Sequence, residues 1–153
     1  MSLRERLSND LKEAIRQRDE VRKRTIRMVI AAIQTEEAGT DETSGRRSLG
    51  DEEILLLITR QAKQRRDSIE AFRAGGRPDL VSEEEAEMAV LQTYLPPMLG
   101  RTEIEAEARI VIAEVGASGS RDMGRVMKPL LARLGDQADG RLVSKVVRDL
   151  LAG

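Results

Sequence analysis

The sequence has no cysteine and no histidine. Disulfides, thiolate nucleophiles, Ser-His-Asp triads, the usual zinc sites and the usual general base are therefore unavailable to it. It has no tryptophan, one tyrosine and one phenylalanine. That scarcity argues against reading single-stranded bases, which relies on aromatic stacking platforms. No apolar run approaches the roughly 18 residues that span a bilayer, and the N-terminus lacks an apolar signal core. These absences lead to the expectation of a soluble, cytoplasmic protein without a membrane partner.

What is present is a helix-forming composition of Ala, Leu, Glu and Arg over 153 residues, long enough for one or two small domains. No stretch alternates as a strand would, so the fold class expected is all-α. Thr93-Tyr94-Leu95-Pro96-Pro97-Met98-Leu99-Gly100 organises the rest. Two consecutive prolines cannot continue a helix, because each lacks an N–H and its ring clashes with the preceding turn. The flanking Tyr94, Leu95, Met98 and Leu99 are apolar anchors, unlike those of a floppy linker. The reading is an N-terminal helical subdomain of about four helices over 1–95, a Pro-Pro hinge over 96–100, and a small three-helix bundle over 101–153.

Leu3, Leu7, Leu11, Ala14 and Ile15 form one helical stripe, and Val21, Thr25, Met28, Val29, Ala32 and Ile33 a second. Ser2 and Asp19 are the expected N-caps, which makes the pair a tight helical hairpin. The polar, glycine-containing stretch 37–50, with Thr40, Asp41, Thr43, Ser44 and Gly45, reads as a loop. Asp51-Glu52-Glu53 opens a long helix, whose apolar stripe lapses at Arg65 and Arg66 and ends at Gly75-Gly76. Pro78 reads as a stop, and Ser82-Glu83-Glu84-Glu85 as the capping box of the next helix, which explains Glu84 and Glu87 as cap carboxylates. Thr102-Glu103-Ile104-Glu105 reads as another box. Beyond Gly116 and a small-residue turn, Pro129 should kink or split the middle helix. Gly124 would let another backbone or a ligand come close if buried, and Asp139 caps the last helix.

The net charge of −1 conceals blocks of alternating sign. Residues 1–35 hold nine Lys/Arg against five acids, and 60–77 hold six against two. Residues 78–95 hold five acids and no Lys or Arg. Residues 117–153 hold seven Lys/Arg against four acids. Basic helices packed near acidic ones would cancel. A basic face left over would meet phosphates, whose contacts dominate nucleic-acid affinity and need no aromatics.

The sharpest local candidate is Ala117-Ser118-Gly119-Ser120-Arg121-Asp122-Met123-Gly124-Arg125-Val126-Met127-Lys128. A small-residue turn feeds a helix N-terminus, whose unpaired N–H groups favour an anion, and Arg121, Arg125 and Lys128 follow beside it. The sequence supplies no catalytic carboxylate pair, no metal-ligating cluster, no P-loop and no dinucleotide fingerprint. Catalytic residues, metal and cofactor are accordingly expected to be none.

Five stretches read together in order: Lys63-Gln64-Arg65-Arg66-Asp67-Ser68-Ile69, Tyr94-Leu95-Pro96, Ala113-Glu114-Val115-Gly116-Ala117, Asp122-Met123-Gly124-Arg125-Val126-Met127 and Ala138-Asp139-Gly140-Arg141-Leu142-Val143. This order resembles the YqeY family of small bacterial proteins, over nearly the whole chain. That family is similar in turn to the tail domain of the B subunit of the tRNA-dependent glutamine amidotransferase. The resemblance implies an all-helical fold and a link to tRNA, held through backbone and shape. It also implies an association with carbon–nitrogen ligase activity using glutamine as amido donor, whose catalytic parts lie outside the tail domain. The matched positions expected to face RNA are Gly119, Ser120, Arg121, Gly124, Arg125, Lys128, Arg141 and Lys145. The alternative is an adaptor for an amidotransferase or synthetase subunit, contacting it through the hinge and Met123/Met127.

Overall fold

The computed structural model describes residues 1–39 and 47–153. Thr40, Asp41, Thr43, Ser44 and Gly45, read above as part of a loop, lie outside the described residues. Among the described residues there are seven α-helices, two short 3-10 turns and no strand. The chain divides into two compact units, Met1–Leu95 and Pro96–Gly153.

In the first unit α1 (Leu3–Arg16) and α2 (Glu20–Ala38) form the hairpin. The Ser2 hydroxyl accepts from the Glu5 amide at 3.1 Å, and the Asp19 carboxylate accepts from the Arg22 amide at 3.0 Å. Each satisfies one of the donors that a helix start leaves orphaned. Between the two helices Arg18 turns with φ 56, a left-handed conformation that tightens the reversal.

Helix α3 (Asp51–Ala74) is the longest. Its first-turn Asp51 accepts from the Leu3 amide at 3.0 Å, tying the starts of α1 and α3. Gly76, at φ 68, reverses the chain after it. Helix α4 (Pro78–Gln92) then begins four residues before Ser82, so the expected cap is corrected. Proline is disfavoured inside a helix but suits the first helical position, where its missing N–H has no intrahelical partner to lose. Ser82 therefore lies within α4. The core of this unit joins Leu7 from α1, Ile26, Val29 and Ile33 from α2, Ile54, Leu57 and Ile58 from α3, and Met88, Leu91 and Tyr94 from α4 and its exit.

The second unit holds α5 (Arg101–Val115), the 3-10 turn Ser120–Asp122, α6 (Met123–Leu134), the 3-10 turn Gly135–Gln137 and α7 (Gly140–Ala152). Gly100, rather than Thr102, is the N-cap of α5. Glu103 reaches back to accept from the Gly100 amide, so the box is real but displaced by two residues. Gly116 closes α5 at φ 68, ψ 32, the left-handed cap for which glycine is suited.

Pro129 does not split α6, which runs unbroken for 12 residues. The ring removes the donor that would have met the Arg125 carbonyl. Both residues are exposed, so solvent can supply that carbonyl's partner. Gly124 is also exposed, with no atom within 4 Å of where a Cβ would stand, and so marks no close approach. The core comprises Ile104, Ala108 and Val111 of α5, Val126, Leu130 and Leu134 of α6, and Val143, Val146 and Val147 of α7.

Candidate nucleic-acid interface

The turn from α5 into α6 is built around Asp122. Its Oδ2 accepts from the Ser118 amide at 2.9 Å, and its own amide donates to the Gly119 carbonyl at 2.9 Å. Arg125 Nη1 donates to Asp122 Oδ1 at 3.1 Å, and Arg125 Nη2 donates to the Val115 carbonyl at the end of α5. The Ser118 amide first, and then Arg125, hold the Asp122 carboxyl below its ordinary value of 3.8. The anion that this turn draws in is thus its own carboxylate. Arg125 clasps α5 to α6 and has two of its donors already in use. Gly119 is extended, at φ −165 and ψ 178, a conformation open to any residue.

Ser120 and Arg121 are exposed, as are Gly124 and Lys128. The Ser120–Asp122 turn packs against both α6 and α7, so the Arg121 segment lies beside the helix that carries Arg141 and Lys145. Asp139 caps α7 by accepting from the Arg141 amide at 3.0 Å. The Arg141 and Lys145 side chains are both exposed, one helical turn apart. Arg121, Lys128 and Lys145 make no ion pair among the described residues. Met123 and Met127 are partly buried against the core.

In the first unit many charges pair between helices, although Lys12, Arg18, Arg27, Lys63 and Arg66 make no ion pair among the described residues either. Arg65, where the stripe lapses, is 15% exposed at its side chain and reaches Glu84 at 2.9 Å and Glu87 at 2.5 Å. Glu87, 9% exposed, also receives Arg24 at 2.9 Å. Arg73 pairs with Glu85 and Arg60 with Glu36. Glu84 and Glu87 are therefore partners of α2 and α3 cations, which corrects their reading as cap carboxylates. Glu37 accepts from Arg4 and from the Leu49 amide, and the Arg4 hydrogen bond is the main cause of its lowered carboxyl pKa.

The sequence reading missed one further cluster. Tyr94 is buried and donates through its hydroxyl to Asp10 Oδ2 at 2.5 Å, beneath the guanidinium of Arg6. Burial first, and then this bond, push the tyrosine pKa up from its ordinary 10.0. Asp10 is 84 positions away from Tyr94, so no local pattern could have announced the contact.

These observations define an all-helical protein of two helical units, with unpaired cations on the surface of the second. The chain belongs to the YqeY family: the profile described as Yqey-like protein matches residues 4–151. It is similar to proteins named "Altered inheritance of mitochondria protein 41, mitochondrial". The one from Pyrenophora tritici-repentis is 33% identical over 149 residues, covering 95% of this chain and 79% of that protein. The one from Lachancea thermotolerans is 33% identical over 114 residues, covering 73% of this chain and 59% of that protein. The one from Saccharomyces cerevisiae strain YJM789 is 31% identical over 105 residues, covering 68% and 54%. The chain thus spans less than two thirds of the latter two proteins.

These relatives correct the expectation of a cytoplasmic location, since each is named as mitochondrial. That expectation rested on the lack of an apolar signal core and of a membrane span. Targeting to mitochondria instead uses amphipathic, arginine-rich segments that carry no apolar run. No helix among the described residues is long and apolar enough to cross a membrane.

Proposed function

We propose that this chain is a non-catalytic tRNA-binding or tRNA-associated protein, acting like the tail domain of an amidotransferase B subunit. The observation that carries the reading is the set of exposed, unpaired cations Arg121, Lys128 and Lys145 in the second unit, with Arg141 exposed on the same helix as Lys145. Ammonium and guanidinium groups without carboxylate partners are available for phosphate oxygens, and each phosphate neutralised releases a counterion. Arg125 supports this surface by fixing the turn, while Gly119, Ser120 and Gly124 keep the turn low, so that backbone-and-shape contact with a folded RNA meets little obstruction. Phosphate contacts of this kind position an RNA without reading its bases.

Residues 96–100 act in this proposal as the hinge between an N-terminal subdomain and the tail-type unit. In support, Leu95 packs on the core of the first unit and Leu99 on that of the second.

A second reading, an adaptor for an amidotransferase or synthetase subunit, draws on the hinge and the partly buried Met123 and Met127, with Ile110 and Leu131 exposed in the same unit. Sequencing the RNA that co-purifies with the tagged full chain separates the two. Enrichment of tRNA, abolished when Arg121, Lys128 and Lys145 are changed to Gln, supports the first. A nuclease-resistant protein partner with no RNA enrichment refutes it.

A further inference from the structure

An open groove of about 380 Å³ in the first unit is lined by Arg6, Asp10, Arg22, Ala89, Val90 and Thr93. Its polar groups converge from α1, α2 and the end of α4. Two guanidiniums face one carboxylate, so the groove holds an excess of positive charge. Elsewhere in this unit the charges balance: Arg65 and Arg24 together serve Glu84 and Glu87.

Both arginines are held in place. Arg6 lies over the Tyr94 ring, its Cζ 4.5 Å from the centroid, and donates through Nη2 to the Thr93 carbonyl at 2.7 Å. Its Nε stands 3.9 Å from Asp10 Oδ2. Arg22 Nη2 stands 3.4 Å from Asp10 Oδ1. Asp10 is therefore the common anchor of both cations and of the buried Tyr94 hydroxyl. A guanidinium has five N–H donors, and these interactions leave several unused on each arginine. Fixed guanidiniums with spare donors bind tetrahedral oxyanions well, because little side-chain entropy remains to be given up.

We infer that this groove is a binding site for a phosphate group, gripped by Arg6 and Arg22, for whose donors Asp10 competes. The phosphate comes either from an RNA backbone or from a small phosphorylated molecule. The site stands on its own geometry and does not depend on the cations of the second unit.

The test titrates inorganic phosphate into the full chain and follows the arginine Nε resonances by NMR, with chloride at matched ionic strength as control. Arg22→Gln should weaken phosphate binding about tenfold, the effect of deleting a charge-assisted hydrogen bond. Asp10→Asn should strengthen it several-fold, because it removes the competing carboxylate and keeps an acceptor for Tyr94. That gain is an outcome that a merely structural role for Asp10 does not produce, and it decides the matter if Arg22→Gln fails to fold.

An RNA stem-loop forms the second arm. Parallel weakening of RNA by Arg22→Gln identifies backbone phosphate as the source. Loss of inorganic phosphate binding with RNA affinity unchanged identifies a small phosphorylated ligand. No phosphate-specific shift in the wild type, or no gain with Asp10→Asn, overturns the inference.

Discussion

Replacing Arg65 with Ala would strip the first unit of its most buried cation bridging α3 and α4. Arg65 and Glu87 are 15% and 9% exposed at their side chains. Removing one member of a buried pair costs about 3–5 kcal/mol, most of it for the charge left behind. Two features moderate that figure. Glu87 retains Arg24, and the side chain of Glu84 is 17% exposed. About 2–3 kcal/mol of destabilisation is expected, a fall in Tm of roughly 5–10 °C for a chain of this length.

The assay is urea denaturation followed by tyrosine fluorescence. Tyr94 is the one tyrosine and the sequence has no tryptophan, so the signal reports the unit that carries the substitution. A cycle of Arg65→Ala, Glu87→Ala and the double variant isolates the pair. The double variant should cost less than the summed singles by at least about 1 kcal/mol. Additivity to within about 0.5 kcal/mol would show that the ion pair is idle and would refute this account of where the charge blocks go.

Tyr94→Phe removes the hydroxyl bond to Asp10 and should cost about 1 kcal/mol in the same urea assay. Because the folded state raises the Tyr94 pKa above 10.0, its contribution to stability is complete below that pH. It falls as pH rises past the unfolded value, so alkaline melts should lose stability above about pH 10 in the wild type and less in Tyr94→Phe. Gly116→Ala places a side chain at φ 68 and should destabilise the second unit by about 1 kcal/mol. Gly124→Ala, on an open helical face, should stabilise it by about 0.5–1 kcal/mol. Circular dichroism melts check both signs. Asp122→Asn should lower the stability of the α5–α6 turn at neutral pH, and the difference from wild type should shrink as acid protonates the wild-type carboxylate, whose folded pKa is depressed.

The helices were legible in the sequence where caps and apolar spacing agreed. Ser2, Asp19, Gly76, Gly116 and Asp139 mark boundaries, because each answers a backbone need within a few residues. Boundaries slipped where one residue type serves two ends. Pro78 follows the end of α3, as expected, but it also begins α4, and Gly100 supplies an N-cap conformation that Thr102 was expected to provide.

Charge was legible only as blocks. The blocks predicted cancellation between helices. They could not reveal that Arg65 is shared by Glu84 and Glu87, or that Tyr94 seeks out Asp10, since those pairings depend on helix packing. At the turn, the residues were read correctly as small and cationic. Their local order nonetheless places Asp122 where an outside anion was expected. Arg125 is thereby committed to the protein, and Arg121, Lys128 and Lys145 are left to solvent.

The salt dependence of tRNA affinity for the wild type and for a variant with Arg121, Lys128 and Lys145 changed to Gln tests the central claim most directly. Each phosphate-binding cation removed should lower the slope of log affinity against log salt by just under one unit, so the variant's slope should be shallower by about two to three, with helical content unchanged. An identical slope in the two proteins, or no tRNA binding by the wild type at low salt, would contradict it.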